Sequence, residues 1–161
     1  MRERKSARLL VVDPQQRVLL FHFVHTDDAL AGHSHWATPG GGLEAGEDFP
    51  QAAIRELREE TGIEVDDVGE VVGERCFVMR LPSGEDVISM ERYFLVRATS
   101  QQLSRDGWSE HETQVMAAHH WWSVEELQGT GETVYPERLL EMLAHGAQVA
   151  SILQIERRLR G

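Results

Sequence analysis

Cysteine is nearly absent. Cys76 is the single one, which excludes an internal disulfide and fits a reducing cytosol. It lies in an apolar stretch, so it is expected as a small core residue and not as a nucleophile. Long apolar runs are also missing; none has the length that spans a bilayer. The opening Met-Arg-Glu-Arg-Lys carries no signal-peptide pattern, so a cytoplasmic protein with no membrane partner is expected. Basic residues are in short supply, 16 Lys and Arg against 27 Asp and Glu, for a formal net charge of −11. A nucleic-acid polymer normally requires a basic patch, so DNA or RNA binding is disfavoured. An anionic small molecule is still admissible where metal ions neutralise the site locally. Repeats, low-complexity segments and linkers are lacking too. The 161 residues, 41% hydrophobic and 27% charged, are expected to fold as one domain, 1–161, around its own core.

What is present is concentrated in residues 40 to 65, a glycine loop followed by one short helix with a dense acidic face. Asp48 can cap that helix, and Gln51 can reach back to complete a capping box. Pro50 falls in the first turn, where a missing N–H does no harm, and Gly62 suits a left-handed end. Phe49, Ala53 and Leu57, with Ile54 beside them, form an apolar face. Glu56, Glu59 and Glu60 stand at i, i+3 and i+4, which gathers three carboxylates on another face. Like charges at these spacings repel, and Arg55 and Arg58 offset only part of the repulsion. A lone Glu-x-x-Glu-Glu is most simply a solvated helix face. Here it follows a tight glycine turn whose backbone can approach a ligand closely, and hard oxygen ligands on one rigid face suit Mg²⁺ or Mn²⁺.

The same stretch resembles the Nudix box: a Gly, five residues, Glu, seven residues, then Arg-Glu-apolar-x-Glu-Glu-x-Gly-apolar. The matching positions are Gly41, Glu47, Arg55, Glu56, Leu57, Glu59, Glu60, Gly62 and Ile63, with no departure. A lone run of three glycines such as Gly40 to Gly42 would mean little; this many fixed positions at fixed spacing is specific.

Elsewhere the pattern is mostly strand-like. Ala7 to Val12 and Arg17 to Val24 flank the turn Asp13-Pro14-Gln15-Gln16, and residues 25 to 34 form a polar loop. Trp36 is expected to pack in the core ahead of lining a pocket. Gly69 to Leu81 and Val87 to Ala98 read as longer strands joined through Pro82-Ser83-Gly84, with Phe77 and Met79 opposite Cys76, Val78 and Arg80. Residues 99 to 113 read as a polar loop, and His120-Trp121-Trp122 as a last strand. Ser123 and Glu126 then form a capping box. Pro136 opens a helix carrying Leu139, Leu140, Met142 and Leu143, which a tail with Val149, Ile152, Ile155 and Leu159 can continue past Gly146. These elements give a mixed α/β layered domain. The resemblance implies more, a Nudix-type α/β/α sandwich with a mixed β-sheet. Trp122-Ser123-Val124-Glu125-Glu126-Leu127 also resembles a Trp-Ser-Leu-Glu-Glu-Leu stretch found late in that family.

Chemically, the resemblance implies hydrolysis of the diphosphate linkage of a nucleoside diphosphate derivative. Such a reaction needs charge neutralised on phosphoryl oxygens and a water deprotonated and placed in line. By position in the box, Glu56, Glu59, Glu60 and the Gly40 carbonyl would hold Mg²⁺, with Mn²⁺ as an alternative ion. Arg55, through an ion pair with Glu47, would brace the box. In the family the base is a box glutamate or one from a late loop. Glu59, Glu112 and the bracing Arg55 are therefore the candidate catalytic residues, with Glu110 second to Glu112. Zinc through His33 and His35, or through His111, His119 and His120, lacks companion cysteines and helical spacing. Ser, Cys and His form no nucleophile signature.

Subfamily motifs for NADH-type and coenzyme A substrates are absent, and the segment Arg75 to Leu81 lacks the Pro or Tyr of ADP-ribose or dinucleoside polyphosphate hydrolases. A nucleoside triphosphate or a nucleotide sugar is left as the expected substrate, with Trp36, Phe21, Trp108 and Tyr135 as aromatics able to stack on a base. A Nudix-fold binding or regulatory module is the rival reading, although it would have no need of a full set of box glutamates. An isoprenoid diphosphate isomerase would require a cysteine before the box, and there is none. A homodimer is expected from the family's habit.

Overall fold

The computed structural model describes residues 1–148. The tail positions Val149, Ile152, Ile155 and Leu159 lie outside the described residues. Strand β1 (Glu3–Val12) turns into β2 (Val18–Val24) through Asp13, whose Oδ1 accepts from the N–H groups of Gln15 and Arg17. The two strands pair only beside that turn, at Val12 and Val18, and then part. On one side β1 takes β4 (Gly40–Gly42) antiparallel and β6 (Asp86–Arg97) parallel, and β6 takes β5 (Val71–Arg80). On the other, β2 lies between β3 (Ser34–Ala37) and β7 (Met116–Trp122), and β3 takes β8 (Val134–Tyr135) in parallel. The result is a mixed sheet of eight strands in two diverging halves.

Both faces are covered where the cores meet, which is why residues 9–12 of β1 and 18–21 of β2 are apolar on both faces. In β1, Leu9 and Val11 join one core with Ala53 and Leu57 of helix α1 (Phe49–Thr61), whereas Leu10 joins a second. In β2, Leu19 and Phe21 face the first core and Val18 and Leu20 the second. Leu139 and Met142, on a helix α4 over residues 139–148, close the second core. Helices on the two faces make the α/β/α layering. Trp36 packs half-buried against the second core, stacked on His22 and edge-on to Trp122. No helix among the described residues is long and apolar enough to cross a membrane.

Three local expectations change. Cys76 is exposed and is not a core residue. It sits on the outward face of the edge strand β5, where alternate residues meet solvent, so an apolar stretch did not imply two buried faces. Residues 99–113 are not all loop, since helix α2 (Glu110–Val115) begins inside them behind an N-cap at Ser109. The last long strand starts at Met116, four residues before His120. Helix α3 (Val124–Gly129) has the expected capping box from Ser123 and Glu126.

Leu57 is fully buried between α1 and the sheet, whereas Val78 on β5 is 63% exposed. Leu57→Ala should therefore lower unfolding free energy by about 2–5 kcal/mol in urea denaturation. Val78→Thr should change it by no more than about 0.5 kcal/mol. Equal effects would contradict the packing described.

Candidate active site

Helix α1 is fixed at both ends by its own sequence. Asp48 accepts from the Gln51 N–H at 2.8 Å, and Gln51 accepts from the Asp48 N–H at 2.9 Å. Gly62 ends the helix at φ 80°. The acidic residues then separate by direction. Glu56 and Glu60, one turn apart, lie on the buried side, 9% and 4% exposed. The Glu59 side chain stays 38% exposed and takes Arg55 Nη1 at 3.1 Å.

The glycine loop is shaped to this helix. Gly40 has φ 142°, and a Cβ there would lie 2.8 Å from the Arg8 Cα, so only glycine fits. Its N–H donates to Glu60 Oε2 at 3.1 Å, and its carbonyl accepts from Arg8 Nη1 at 3.0 Å. A Cβ on Gly41 would sit 2.7 Å from the Glu56 Cδ. Arg55 joins loop to helix: Nε and Nη2 donate to Glu47 at 2.8 and 2.9 Å, Nη1 to Glu56 at 2.9 Å, and Nη2 to the Gly42 carbonyl at 3.0 Å.

Glu112 arrives from far along the chain. The loop before α2 docks on the end of α1, where Trp108 Nε1 donates to the Glu60 carbonyl at 2.8 Å and the Ser104 N–H to the Thr61 carbonyl at 2.9 Å. Gly107 permits the approach, because a Cβ there would lie 2.8 Å from the Glu59 Cα. One oxygen each from Glu56, Glu60 and Glu112 then falls within 4.8 Å of the others, the one such group of potential ligands among the described residues. Glu59, Glu110 and the histidines considered for zinc are outside it.

Burial, then Glu56 and Glu112, hold the Glu60 carboxyl well above the usual carboxylate range. Burial also raises Glu56, against the pull of Arg55. Glu47 is lowered by its bonds from Arg55. Three carboxyl groups brought together, with Arg55 bonding only Glu56 among them, are what a hard divalent cation would stabilise.

A cavity of about 770 Å³ is linked to this group through Arg8, which lines it and donates to the Gly40 carbonyl; Glu56, Glu60 and Glu112 are not among its lining residues. Arg75 crosses it 4.0 Å above the Phe77 ring centroid and 5.4 Å from that of Tyr135. Glu91 holds both cations, Arg8 at 3.0 Å and Arg75 at 3.0 Å, and accepts from the Tyr93 hydroxyl at 2.7 Å. Burial raises the Glu91 carboxyl, but Arg8 and Tyr93 bring it below the usual range. Of the aromatics expected to meet a base, only Tyr135 lines the cavity. Phe21 is core, Trp36 packs on the second core, and Trp108 is used for docking. Motif spacing does not single out Arg8, Arg75, Phe77 or Glu91. The signal available for Arg8 and Glu91 is a charged residue close before an apolar run in its strand, residues 9–12 in β1 and 93–96 in β6.

A family model described as NUDIX domain matches residues 2–143. Over 60 residues the chain is 38% identical to Nudix hydrolase 27, chloroplastic, of Arabidopsis thaliana, covering 37% of this chain and 24% of that protein. An RNA pyrophosphohydrolase of Novosphingobium aromaticivorans is 37% identical over 60 residues, 37% of this chain and 35% of its own. The chain thus spans about a quarter to a third of the curated relatives it matches. In architecture it is similar to a MutT protein from Methanosarcina mazei Go1, with a TM-score of 0.66 at 19% identity over 92% of this chain and 96% of the other.

His35 lines the cavity beside His25, and burial followed by the charge of His25 pushes it down to about 4. The unfolded chain, near the ordinary 6.5, takes up that proton first, so folding stability should fall as pH drops from about 6.5 towards 4. His35→Gln should lose less stability over that interval in urea denaturation. Identical pH dependence of the two proteins would refute the burial of a neutral His35.

Proposed function

The chain belongs to the NUDIX domain family, and from that membership we propose a divalent-metal-dependent hydrolase that cleaves the diphosphate linkage of a nucleoside diphosphate derivative, of nucleoside triphosphate or nucleotide sugar type. Nudix enzymes hydrolyse nucleoside diphosphate derivatives and generally use divalent metals. The observation that carries the reading to this chain is the meeting of Glu112 with Glu56 and Glu60, joined through Gly40 and Arg8 to a cavity of about 770 Å³. We place its action in the cytoplasm, in keeping with the single cysteine.

Glu56, Glu59, Glu60 and the Gly40 carbonyl are the proposed ligands of Mg²⁺, or of Mn²⁺ in its place. The donor set fits in kind: all are oxygens, and the buried carboxyls of Glu56 and Glu60 lack enough cationic partners of their own, while Glu59 stays at the rim on Arg55. When bound, the ion would neutralise phosphoryl oxygens and lower the pKa of a water. Glu112 is the first candidate to take the proton of the attacking water, because its carboxylate reaches the same group yet comes from a separate element. Glu59, on the rim, is the second. Arg55 keeps the loop on the helix and acts through that position. Arg8 and Arg75, lining the cavity, present positive charge to the phosphates or ribose of the substrate.

Turnover of a panel of nucleoside triphosphates, ADP-ribose, nucleotide sugars and dinucleoside polyphosphates with Mg²⁺ tests this. We expect activity that chelation abolishes, and losses of about 10²-fold or more in kcat for Glu59→Gln, Glu60→Gln and Glu112→Gln. Full activity in both Glu59→Gln and Glu60→Gln would refute the metal-site assignment. A folded protein that binds Mn²⁺ yet turns over nothing would favour a nucleotide-binding module.

A further inference from the structure

Arg4 stands apart from the other arginines. Arg2, Arg8, Arg55, Arg75, Arg80, Arg92 and Arg138 each have a carboxylate at ion-pair distance, and the remaining described ones are exposed. Among the described residues, Arg4 alone is a half-buried guanidinium with no ion pair. Its one side-chain bond runs from Nη1 to the hydroxyl of Ser6, at 3.0 Å. Glu56 and Glu91 attract it only from a longer range, while burial and the nearby charge of Arg8 disfavour its protonated form. A half-buried charge held this way, beside another cation, is poorly compensated within the protein itself.

Its position gives that charge a use. Ser6 pairs with Gly42 across the β1–β4 ladder, and Arg4 Nη2 lies 3.5 Å from where a Gly42 Cβ would be. Gly42 therefore leaves the guanidinium uncovered. It faces a cleft of about 380 Å³ bounded by Arg2, Glu3, Arg4, Lys5, Gly42 and Leu43. Among the described residues Glu3 is the only carboxylate lining it, and Arg2 is committed to Glu85. Along β4 the neighbours follow in order: Gly40 accepts from Arg8, which lines the large cavity, Gly41 packs on Glu56, and Gly42 lies beside Arg4. Two strand residues span about 7 Å, a distance suited to a chain of phosphates running from cavity to cleft.

Building on the hydrolase reading, we propose that Arg4 binds the distal phosphate of a nucleoside triphosphate and so selects a phosphate chain ending in charge over a nucleotide sugar. The distal group of a nucleotide sugar is uncharged and offers the guanidinium no ionic partner. Arg4 is on this account a substrate-binding residue, and Ser6 orients it.

The test compares wild type, Arg4→Gln and Arg4→Lys on a nucleoside triphosphate and on a nucleotide sugar, and titrates each protein with inorganic tripolyphosphate by calorimetry without metal. Arg4→Gln should lower kcat/KM for the triphosphate by about tenfold or more, through KM. The nucleotide sugar should change less than about twofold, and tripolyphosphate should bind about tenfold more weakly. Arg4→Lys should recover part of both losses, since it keeps the charge and loses the fork. Thermal stability should hold or rise in Arg4→Gln, because no ion pair is removed. Equal losses on both substrates, or unchanged tripolyphosphate affinity, would overturn the proposal. If wild type turns over neither substrate the hydrolase reading falls, and the tripolyphosphate titration still decides the role of Arg4.

Discussion

The Arg55 guanidinium reaches in several directions: to both oxygens of Glu47, to Glu56, to Glu59 and to the Gly42 carbonyl. With its side chain only 13% exposed, these bonds are charge-assisted and largely shielded from water. They join the glycine loop, the start of the box and the middle of helix α1 into one body. They also offset repulsion unevenly. Arg55 satisfies Glu47 and Glu59 at the rim and one oxygen of Glu56, but makes no bond to Glu60. The residual repulsion therefore collects inside, between Glu60, Glu56 and Glu112. An ion placed there adds a counter-charge where the protein supplies least, and this is the physical content of the proposed metal site.

The backbone accommodates that centre through the parting of β1 and β2. Because they pair only at their turn, β1 has an edge free for the three glycines of β4. Glycine at these positions lets helix carboxylates and strand arginines approach the same few backbone atoms. Gly40 is bonded from both sides, donating to Glu60 and accepting from Arg8. Arg8 in turn shares Glu91 with Arg75. A continuous set of hydrogen bonds thus runs from the buried acids to the far wall of the cavity. Displacing Gly40 would disturb both.

Much of this was legible in local sequence. The caps of α1, its apolar face, the left-handed end at Gly62 and the later Ser123–Glu126 box all depend on residues a few positions apart, and all are present as expected. The sheet's central strands were legible because residues 9–12 and 18–21 are apolar runs on either side of a turn. Glu112 was visible only as one of two candidates, because what brings it in is tertiary: a Trp108 bond to a helix carbonyl and a glycine close to Glu59. Helix α2 escaped notice since it buries only Val115 and so has no apolar period. Cys76 misled for a related reason. Apolar content signals burial on two faces in a central strand but only one in an edge strand, and sequence alone did not say which β5 was.

Charge distribution bears on how an anionic protein could take the proposed anionic substrate. The net charge of −11 opposes long-range attraction of any polyanion. Yet Arg8 and Arg75 are drawn into the cavity, each with a side chain about 15% exposed or less, and Arg4 stands half-buried beside the loop. Arg8 and Arg75 share Glu91, and Arg75 also pairs with the more exposed Glu137, so these cavity walls are near balance while the protein as a whole is acidic. Recessed cations in a medium of low dielectric act strongly at short range and weakly at long range. A compact phosphate derivative that enters the cavity meets their full field. A polymer lying across the acidic exterior does not, which favours a small-molecule substrate for the same reason that the sequence disfavours a nucleic acid.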